Sequence, residues 1–227
     1  MLLPFIILQD DIEKTQKVDL MQKQFVEPKI RLFNKYNLLS LVGLSLNFIV
    51  TKLVCPQAKI IKYPFYLRGK KYMVIGNNFS SGVGLRMDAF PSNGRNCIRI
   101  GENVQFNDYV HIAAVNSIEI GKNVLIASKV FITDHNHGFY GAGDVHTDPT
   151  VVPINRELSV LPVVIDDDVW IGEFVSILPG VRIGKGSIIG TMSVVSKDIP
   201  PYSIAVGSPA KVIKKYNFDS KKWEKTA

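Results

Sequence analysis

Residues 163–195 read VVIDDDVWIGEFVSILPGVRIGKGSIIGTMSVV. Ile165, Ile171, Ile177, Ile183 and Ile189 fall six apart, and Val195 continues the series. Val169, Val175 and Val181 stand four residues after the first three, and Ser187 and Ser193 follow in the same register. Gly172, Gly184 and Gly190 come directly after three of the isoleucines. A period of six fits neither the 3.6-residue turn of a helix nor the alternation of a simple strand. It is the signature of an all-β solenoid stacked from hexapeptides. Each hexad supplies a short strand and a turn, and three hexads close a triangular coil. Successive coils then pair in parallel at ~4.8 Å, with their isoleucines stacked inside. Glycines fit the corners, where the chain bends tightly.

The beat extends toward the N-terminus. Ile100, Phe106, Ile112 and Ile118 hold strict register, and after a two-residue slip Ile120, Ile126 and Ile132 resume it. Val104, Val110, Val124 and Val130 supply the second inward position. Ile75-Gly76 is a first, weak hexad, which places the start of the solenoid near Met73. Residues 80–96, rich in Gly, Ser and Asn and containing Pro91, read as an irregular coil. The repeat stops at Asp134 and returns at Ile165. A long interruption in a solenoid is a loop thrown out from one corner, and such loops bind or catalyse. The expected organisation is a helical extension over residues 1–70, a solenoid domain over 71–215 with a loop at 134–162, and a C-terminal tail or short helix over 216–227.

Composition narrows the field. With 46% hydrophobic and 21% charged residues, the chain is globular rather than disordered. The net charge of +7 suits either a basic solvated surface or a phosphate site. It lacks zinc-ligand spacing, an Arg-rich arm and an aromatic RNA-binding signature, so no nucleic-acid partner is expected. Two cysteines, Cys55 and Cys97, make no disulfide framework and fit a reducing, cytoplasmic setting. Leu38–Val54 is apolar but carries Ser40, Gly43, Ser45, Asn47 and Lys52, which is marginal for a bilayer span. A helix packed on the end of the solenoid is the favoured reading, with attachment to the inner membrane face as the alternative.

Several runs together resemble one family. Val169-Trp170-Ile171-Gly172, Ile177-Leu178-Pro179-Gly180-Val181-Arg182-Ile183-Gly184, Lys197-Asp198-Ile199-Pro200-Pro201 and Gly207-Ser208-Pro209-Ala210-Lys211-Val212-Ile213 are similar to the hexapeptide-repeat acyltransferases. The resemblance implies a left-handed parallel β-helix, an exception to the right-handed rule for parallel crossovers. It also implies a homotrimer with active sites between subunits and acetyl-CoA as donor, with no metal. Thr133-Asp134-His135-Asn136-His137-Gly138, ahead of the loop, is similar to the sugar O-acetyltransferases, above all those acting on bacterial O-antigen, capsule and exopolysaccharide.

Acetyl transfer from a thioester to a hydroxyl needs a base and a donor to the oxyanion. Histidine is the natural base near neutral pH. The chain has four, His111, His135, His137 and His146. The family's layout makes His135 the base, with His137 beside it to orient the acceptor. Asp134 either fixes the histidine tautomer and borders the acceptor or, the favoured reading, caps the turn. His111 reads as a corner residue and His146 as an exposed loop residue. By the same resemblance Asn107 and Trp170 contact the acceptor, Trp170 in the cleft rather than at a trimer contact. Val115 stands where the galactoside enzyme has a carboxylate, which argues against galactoside as acceptor. The donor's pantetheine arm is expected along Glu173, Thr191, Ser196 and Lys197, and its phosphates near Lys211 and Lys214. A covalent route through Cys55 or Cys97 is disfavoured, because Cys55 lies outside the expected solenoid and no base is expected beside Cys97. The competing readings are N-acetylation of an amino-sugar nucleotide or of serine, a γ-class carbonic anhydrase, and a non-catalytic solenoid.

Overall fold

The computed structural model describes residues 37–141 and 145–226. The part of the expected helical extension over residues 1–36 lies outside the described residues. The chain divides into two compact units, residues 1–43 and 44–227. Asn37 caps the start of helix α1 (Leu38–Val54), whose residues from Leu44 onward belong to the second unit, its side-chain oxygen accepting the Ser40 N–H at 2.8 Å. No helix among the described residues is long and apolar enough to cross a membrane.

The second unit is a three-faced parallel solenoid. Its first coil holds β1 (Ile60–Ile61), β2 (Phe65–Arg68) and β3 (Met73–Ile75), and its second β4 (Ser80–Ser81), β5 (Leu85–Ala89) and β6 (Ile98–Ile100). The third holds β7 (Gln105–Phe106), β8 (His111–Ala114) and β9 (Ile118–Ile120). The fourth has β10 (Leu125–Ile126) and β11 (Phe131–Thr133), then the hairpin of β12 (His135–His137) and β13 (Leu158–Val160), then β14 (Val163–Ile165). The fifth carries β15 (Trp170–Ile171), β16 (Ser176–Ile177) and β17 (Arg182–Ile183), and the sixth β18 (Ile188–Ile189) and β19 (Val194–Val195). Finally β20 (Ser203–Val206) turns back into the antiparallel strands β21 (Lys211–Asn217) and β22 (Lys222–Lys225).

Face A stacks β1-β4-β7-β10-β15-β18-β20, face B stacks β2-β5-β8-β11-β16-β19, and face C stacks β3-β6-β9-β14-β17. The register puts one inward column on each face. Ile126, Ile171 and Ile189 lie in face A, Ile112, Ile132 and Ile177 in face B, and Ile100, Ile120, Ile165 and Ile183 in face C. All are buried, and each contributes roughly 1.5–3 kcal/mol by leaving water. The two-residue slip at Ile118–Ile120 is a three-residue strand whose two end residues both face inward. Where serine replaces valine in the last coils, the hydroxyl finds backbone. Ser187 Oγ donates to the Pro200 carbonyl at 2.8 Å, and Ser193 Oγ to that of Gly190 at 2.7 Å.

At the first four turns between faces C and A, the left-handed backbone position is taken by Asn78, Asn103, Asn123 and Asp168. Their side chains form a ladder, Asn78 to Asn103 at 3.1 Å, Asn103 to Asn123 at 3.2 Å and Asn123 to Asp168 at 3.0 Å. The neighbouring glycines serve a different need. A Cβ on Gly101 would stand 2.5 Å from the Gly121 carbonyl oxygen, so they permit close stacking of coil on coil.

Three boundaries differ from the sequence reading. The solenoid begins at Ile60, inside the span assigned to the extension, because Ile60 and Ile61 pair with Ser80 and Ser81 and Phe65–Arg68 with Leu85–Asp88. Within the stretch read as irregular, Leu85–Ala89 is a regular strand of face B. The C-terminal segment is a strand hairpin rather than a tail or helix, since Ser203–Val206 offers an edge on which Lys211–Asn217 pairs.

Candidate active site

The loop leaves the corner between faces B and C directly after β11, and that corner holds His135. Asp134, fully buried, turns its carboxylate inward. One oxygen lies 3.0 Å from His135 Nδ1. The carboxylate also accepts the backbone N–H groups of Val115 at 3.0 Å, Asn116 at 2.7 Å and Ser117 at 2.8 Å. Burial raises the Asp134 pKa, but the bonds from His135 and the three N–H groups outweigh it and hold the carboxyl below its ordinary value. An ionised carboxylate only accepts, so in the neutral imidazole Nδ1 is the nitrogen that carries the proton and Nε2 the one with the lone pair. The His135 side chain is 17% exposed. Thr133 Oγ1, 3.2 Å from Nδ1, adds a second constraint on the ring.

Asp134 is therefore both the turn cap and the tautomer-fixing group. Its place among residues that border the acceptor is corrected, because both oxygens are spent and the side chain has no exposed surface.

His135 pairs with Val160 and His137 with Leu158 across the β12–β13 hairpin. The two imidazoles meet edge to face at 6.3 Å, with His137 exposed. Arg156 ties the loop back to this hairpin. Its guanidinium donates to the Val151 and Pro149 carbonyls and to Tyr140 Oη, which in turn donates to the His137 carbonyl at 2.6 Å. A cleft of about 460 Å³ opens beside the hairpin, lined by Phe90, Ser92, Val115, Asn116, Leu158 and Val160. Arg156, Phe90 and Ser92 escaped the sequence reading, because their positions follow from the fold of the loop and of the second coil rather than from any motif.

The remaining candidate residues fall into separate groups. Ser196 and Lys197 follow β19 on the same B–C corner as His135, two coils further along, and both are exposed. Asn107, Glu173 and Thr191 follow face-A strands at the A–B corner, where the Met192 N–H donates to the Glu173 carbonyl at 2.8 Å. Trp170 stands on face A between Leu125 and Ile188, 51% exposed. Lys211 and Lys214 lie on β21 at the end of that face. One chain thus joins His135, His137, Ser196 and Lys197 on one corner, and Asn107, Glu173 and Thr191 on another.

His111 is an outward-facing strand residue of face B rather than a corner residue, and His146 is exposed in the loop. Both cysteines are buried. Burial, with the Asp134 charge nearby, pushes the Cys97 thiol up to about 11, so it is protonated at neutral pH. Among the described residues no three His, Cys, Asp or Glu side chains converge as a metal site requires.

Comparison with known proteins identifies the fold and the family. Residues 162–197 match the family model "Bacterial transferase hexapeptide (six repeats)". The chain is 46% identical over 196 residues to the Escherichia coli (strain K12) protein named "Putative lipopolysaccharide biosynthesis O-acetyl transferase WbbJ", covering 86% of this chain and 98% of that one. Among solved structures, a maltose O-acetyltransferase from Clostridium difficile 630 superposes with a TM-score of 0.53 at 28% identity, over 79% of this chain and 89% of the other. AntD, an N-acyltransferase from Bacillus cereus solved as a mutant with dTDP-4-amino-4,6-dideoxyglucose and coenzyme A, shares the fold, with a TM-score of 0.59 at 21% identity over 82% of this chain and 92% of that one. The solenoid is the left-handed parallel β-helix of these enzymes. Its hexad columns and its 46% identity over nearly the whole length of a relative establish that the chain belongs to the hexapeptide-repeat acyltransferases.

Proposed function

We propose that this chain is an acetyl-CoA-dependent O-acetyltransferase that modifies a sugar hydroxyl of a bacterial surface polysaccharide or its precursor. The observation that carries the chemistry is the His135 imidazole held by Asp134 at 3.0 Å, beside a cleft large enough for a sugar. The relative named for lipopolysaccharide biosynthesis and the maltose O-acetyltransferase support a sugar acceptor, and the CoA bound to AntD supports the donor.

In this reading the acceptor occupies the cleft beside Val160 and presents its hydroxyl to His135 Nε2. The imidazole takes the proton as the oxygen attacks the acetyl carbonyl, and Asp134 stabilises the imidazolium that forms. The tetrahedral intermediate collapses by breaking the C–S bond. The imidazolium proton goes to the departing thiolate, leaving an acetyl ester and CoA. His137 borders the hydroxyl and orients it.

The donor groups need a second copy. Ser196 and Lys197 share the corner of His135, while Glu173, Thr191, Asn107 and Trp170 lie on face A or at its A–B corner. A homotrimer places the A–B corner of one copy against the B–C corner of the next, which completes a pantetheine groove ending at Lys211 and Lys214. The enzyme would work in the cytoplasm, with the exposed apolar residues Leu46, Phe48, Ile49 and Leu53 of α1 suited to the inner membrane face where lipid-linked glycans are held. The test is mass spectrometry of products from paired hydroxyl and amino acceptors incubated with acetyl-CoA. An O-linked acetyl group is expected; transfer to the amine alone would replace this reading with N-acetylation.

A further inference from the structure

Face B carries a second charged cluster that the acetyl-transfer chemistry does not use. Asp88 points outward from β5 yet is only 7% exposed at its side chain, because three cationic or basic side chains cover it. Arg68, directly below it in register, donates from Nε at 2.5 Å and from Nη2 at 2.7 Å. Arg86, on its own strand, donates from Nε at 2.8 Å, and His111 Nε2 lies at 3.3 Å on the next rung. Burial lowers the His111 pKa, and of the charges around it Asp88 raises it while Arg86 and Arg68 lower it; the net shift is downward, toward the neutral ring. The cluster thus sets two guanidinium cations against one carboxylate.

The surplus positive charge is accessible. Asp88 engages only Nε of Arg86 and only Nε and Nη2 of Arg68. Both terminal nitrogens of Arg86 and Nη1 of Arg68 donate to no other described residue, and the two side chains are 47% and 51% exposed. Their orientation is fixed by a carboxylate that is itself held below the ordinary range, where burial raises its pKa but the bonds from Arg68, Arg86 and His111 outweigh that. Guanidinium groups fixed in this way are preorganised for an oxyanion.

The cluster is also next to the cleft. The Arg68 guanidinium stacks on the Phe90 ring at 5.7 Å, and Phe90 lines the cleft with Val115, Asn116, Leu158 and Val160. On face B, Asp88 pairs with Ala113 and Ala113 with Thr133, whose hydroxyl contacts His135. Two rungs, about 10 Å, therefore separate the strand of Asp88 and Arg86 from the strand end that carries the base, and Arg68 reaches Asp88 from one rung below. A sugar with its reacting hydroxyl at His135 and an acidic substituent on its far side fits that span.

We propose that Arg68 and Arg86, fixed by Asp88, form an anion-binding shelf that receives a phosphate or carboxylate on the acceptor. The acceptor class is then an anionic sugar, either a sugar phosphate or a uronic acid. This rests on the acceptor assignment made under Proposed function. Asp88, Arg68 and Arg86 are positioning residues for substrate and take no part in proton transfer.

The experiment measures acetyl transfer from acetyl-CoA to galactose, galactose 1-phosphate and galacturonate by the wild type, Arg86→Gln and Arg68→Lys. Arg86→Gln leaves the bidentate Arg68–Asp88 pair in place, and thermal denaturation of each variant checks folding. For the wild type, KM is expected to be lower for one or both anionic sugars than for galactose, and which one it favours tells phosphate from carboxylate. Arg86→Gln is expected to raise the anionic KM roughly tenfold, the loss of one charge-assisted bond, with kcat and the galactose KM unchanged. Equal effects on neutral and anionic acceptors, no effect on either, or a loss of oligomer stability alone would overturn the shelf. If no sugar is acetylated, the acceptor reading fails by itself. The shelf is then judged by binding of galactose 1-phosphate to His135→Ala protein, read from the His111 imidazole NMR signals. A shift present in that protein and abolished by adding Arg86→Gln supports it, and no shift overturns it.

Discussion

One carboxylate does two things at the base of the candidate site. Asp134 closes the Val115–Ser117 turn and fixes the ring of His135. Asp134→Asn keeps the shape but removes the charge that stabilises an imidazolium and allows the wrong tautomer. It is expected to lower kcat by about 10²–10⁴ with little change in the KM for acetyl-CoA, measured by release of the CoA thiol. The same residue has a signature in stability. Its folded pKa lies below the unfolded value, so its contribution is full above the ordinary carboxylate pKa of about 3.9 and is lost as pH falls through the folded value. Urea denaturation across that acid range should show a steeper loss for the wild type than for Asp134→Asn. His135 was legible in the sequence because it follows the last regular hexad before the loop. Both duties of Asp134 were read there as alternatives; that one carboxylate performs both, and that the turn it caps is Val115–Ser117 of the coil below, was not. The Asp88 cluster was hidden for the same reason. Arg68, Arg86, Asp88 and His111 come from three coils of unequal length, and only the strand register shows that they meet.

At the scale of the element, the hexads were readable wherever isoleucine and valine repeat without interruption. The first two strands of the first coil escaped because Ile60–Ile61 and Phe65–Arg68 carry no hexad glycine and their partners lie twenty residues on. The C-terminal hairpin left no such trace. Along Lys211–Tyr216 every second residue is exposed, but Ile213 is among the exposed ones and Lys214 is not, so the sequence itself shows no period of two. The corners teach a further lesson. At four successive corners between faces C and A, asparagine or aspartate supplies the left-handed backbone, and the glycines stacked beside them supply clearance. A Cβ on Gly121 would stand 2.7 Å from the Asp167 backbone nitrogen. Gly121→Ala is expected to destabilise the solenoid by about 1–3 kcal/mol, read from the urea midpoint at unchanged m-value.

For the whole molecule, the separation of the candidate residues onto two corners has consequences that two measurements reach. Lys211→Glu with Lys214→Glu is expected to raise the KM for acetyl-CoA about tenfold or more, with the acceptor KM unchanged, since lysine meets phosphate as a point charge. His135→Ala and Glu173→Arg, each inactive alone, are expected to recover measurable turnover when co-expressed as mixed oligomers, because some interfaces then hold two intact corners. Silence in the mixture would place the whole site within one chain. The most direct test of the account is the single-turnover rate of His135→Ala with bound acetyl-CoA and a sugar acceptor. A fall of about 10²–10⁴ with oligomer state and CoA affinity intact is the predicted result; wild-type turnover in that variant would contradict the assignment of His135 as the base.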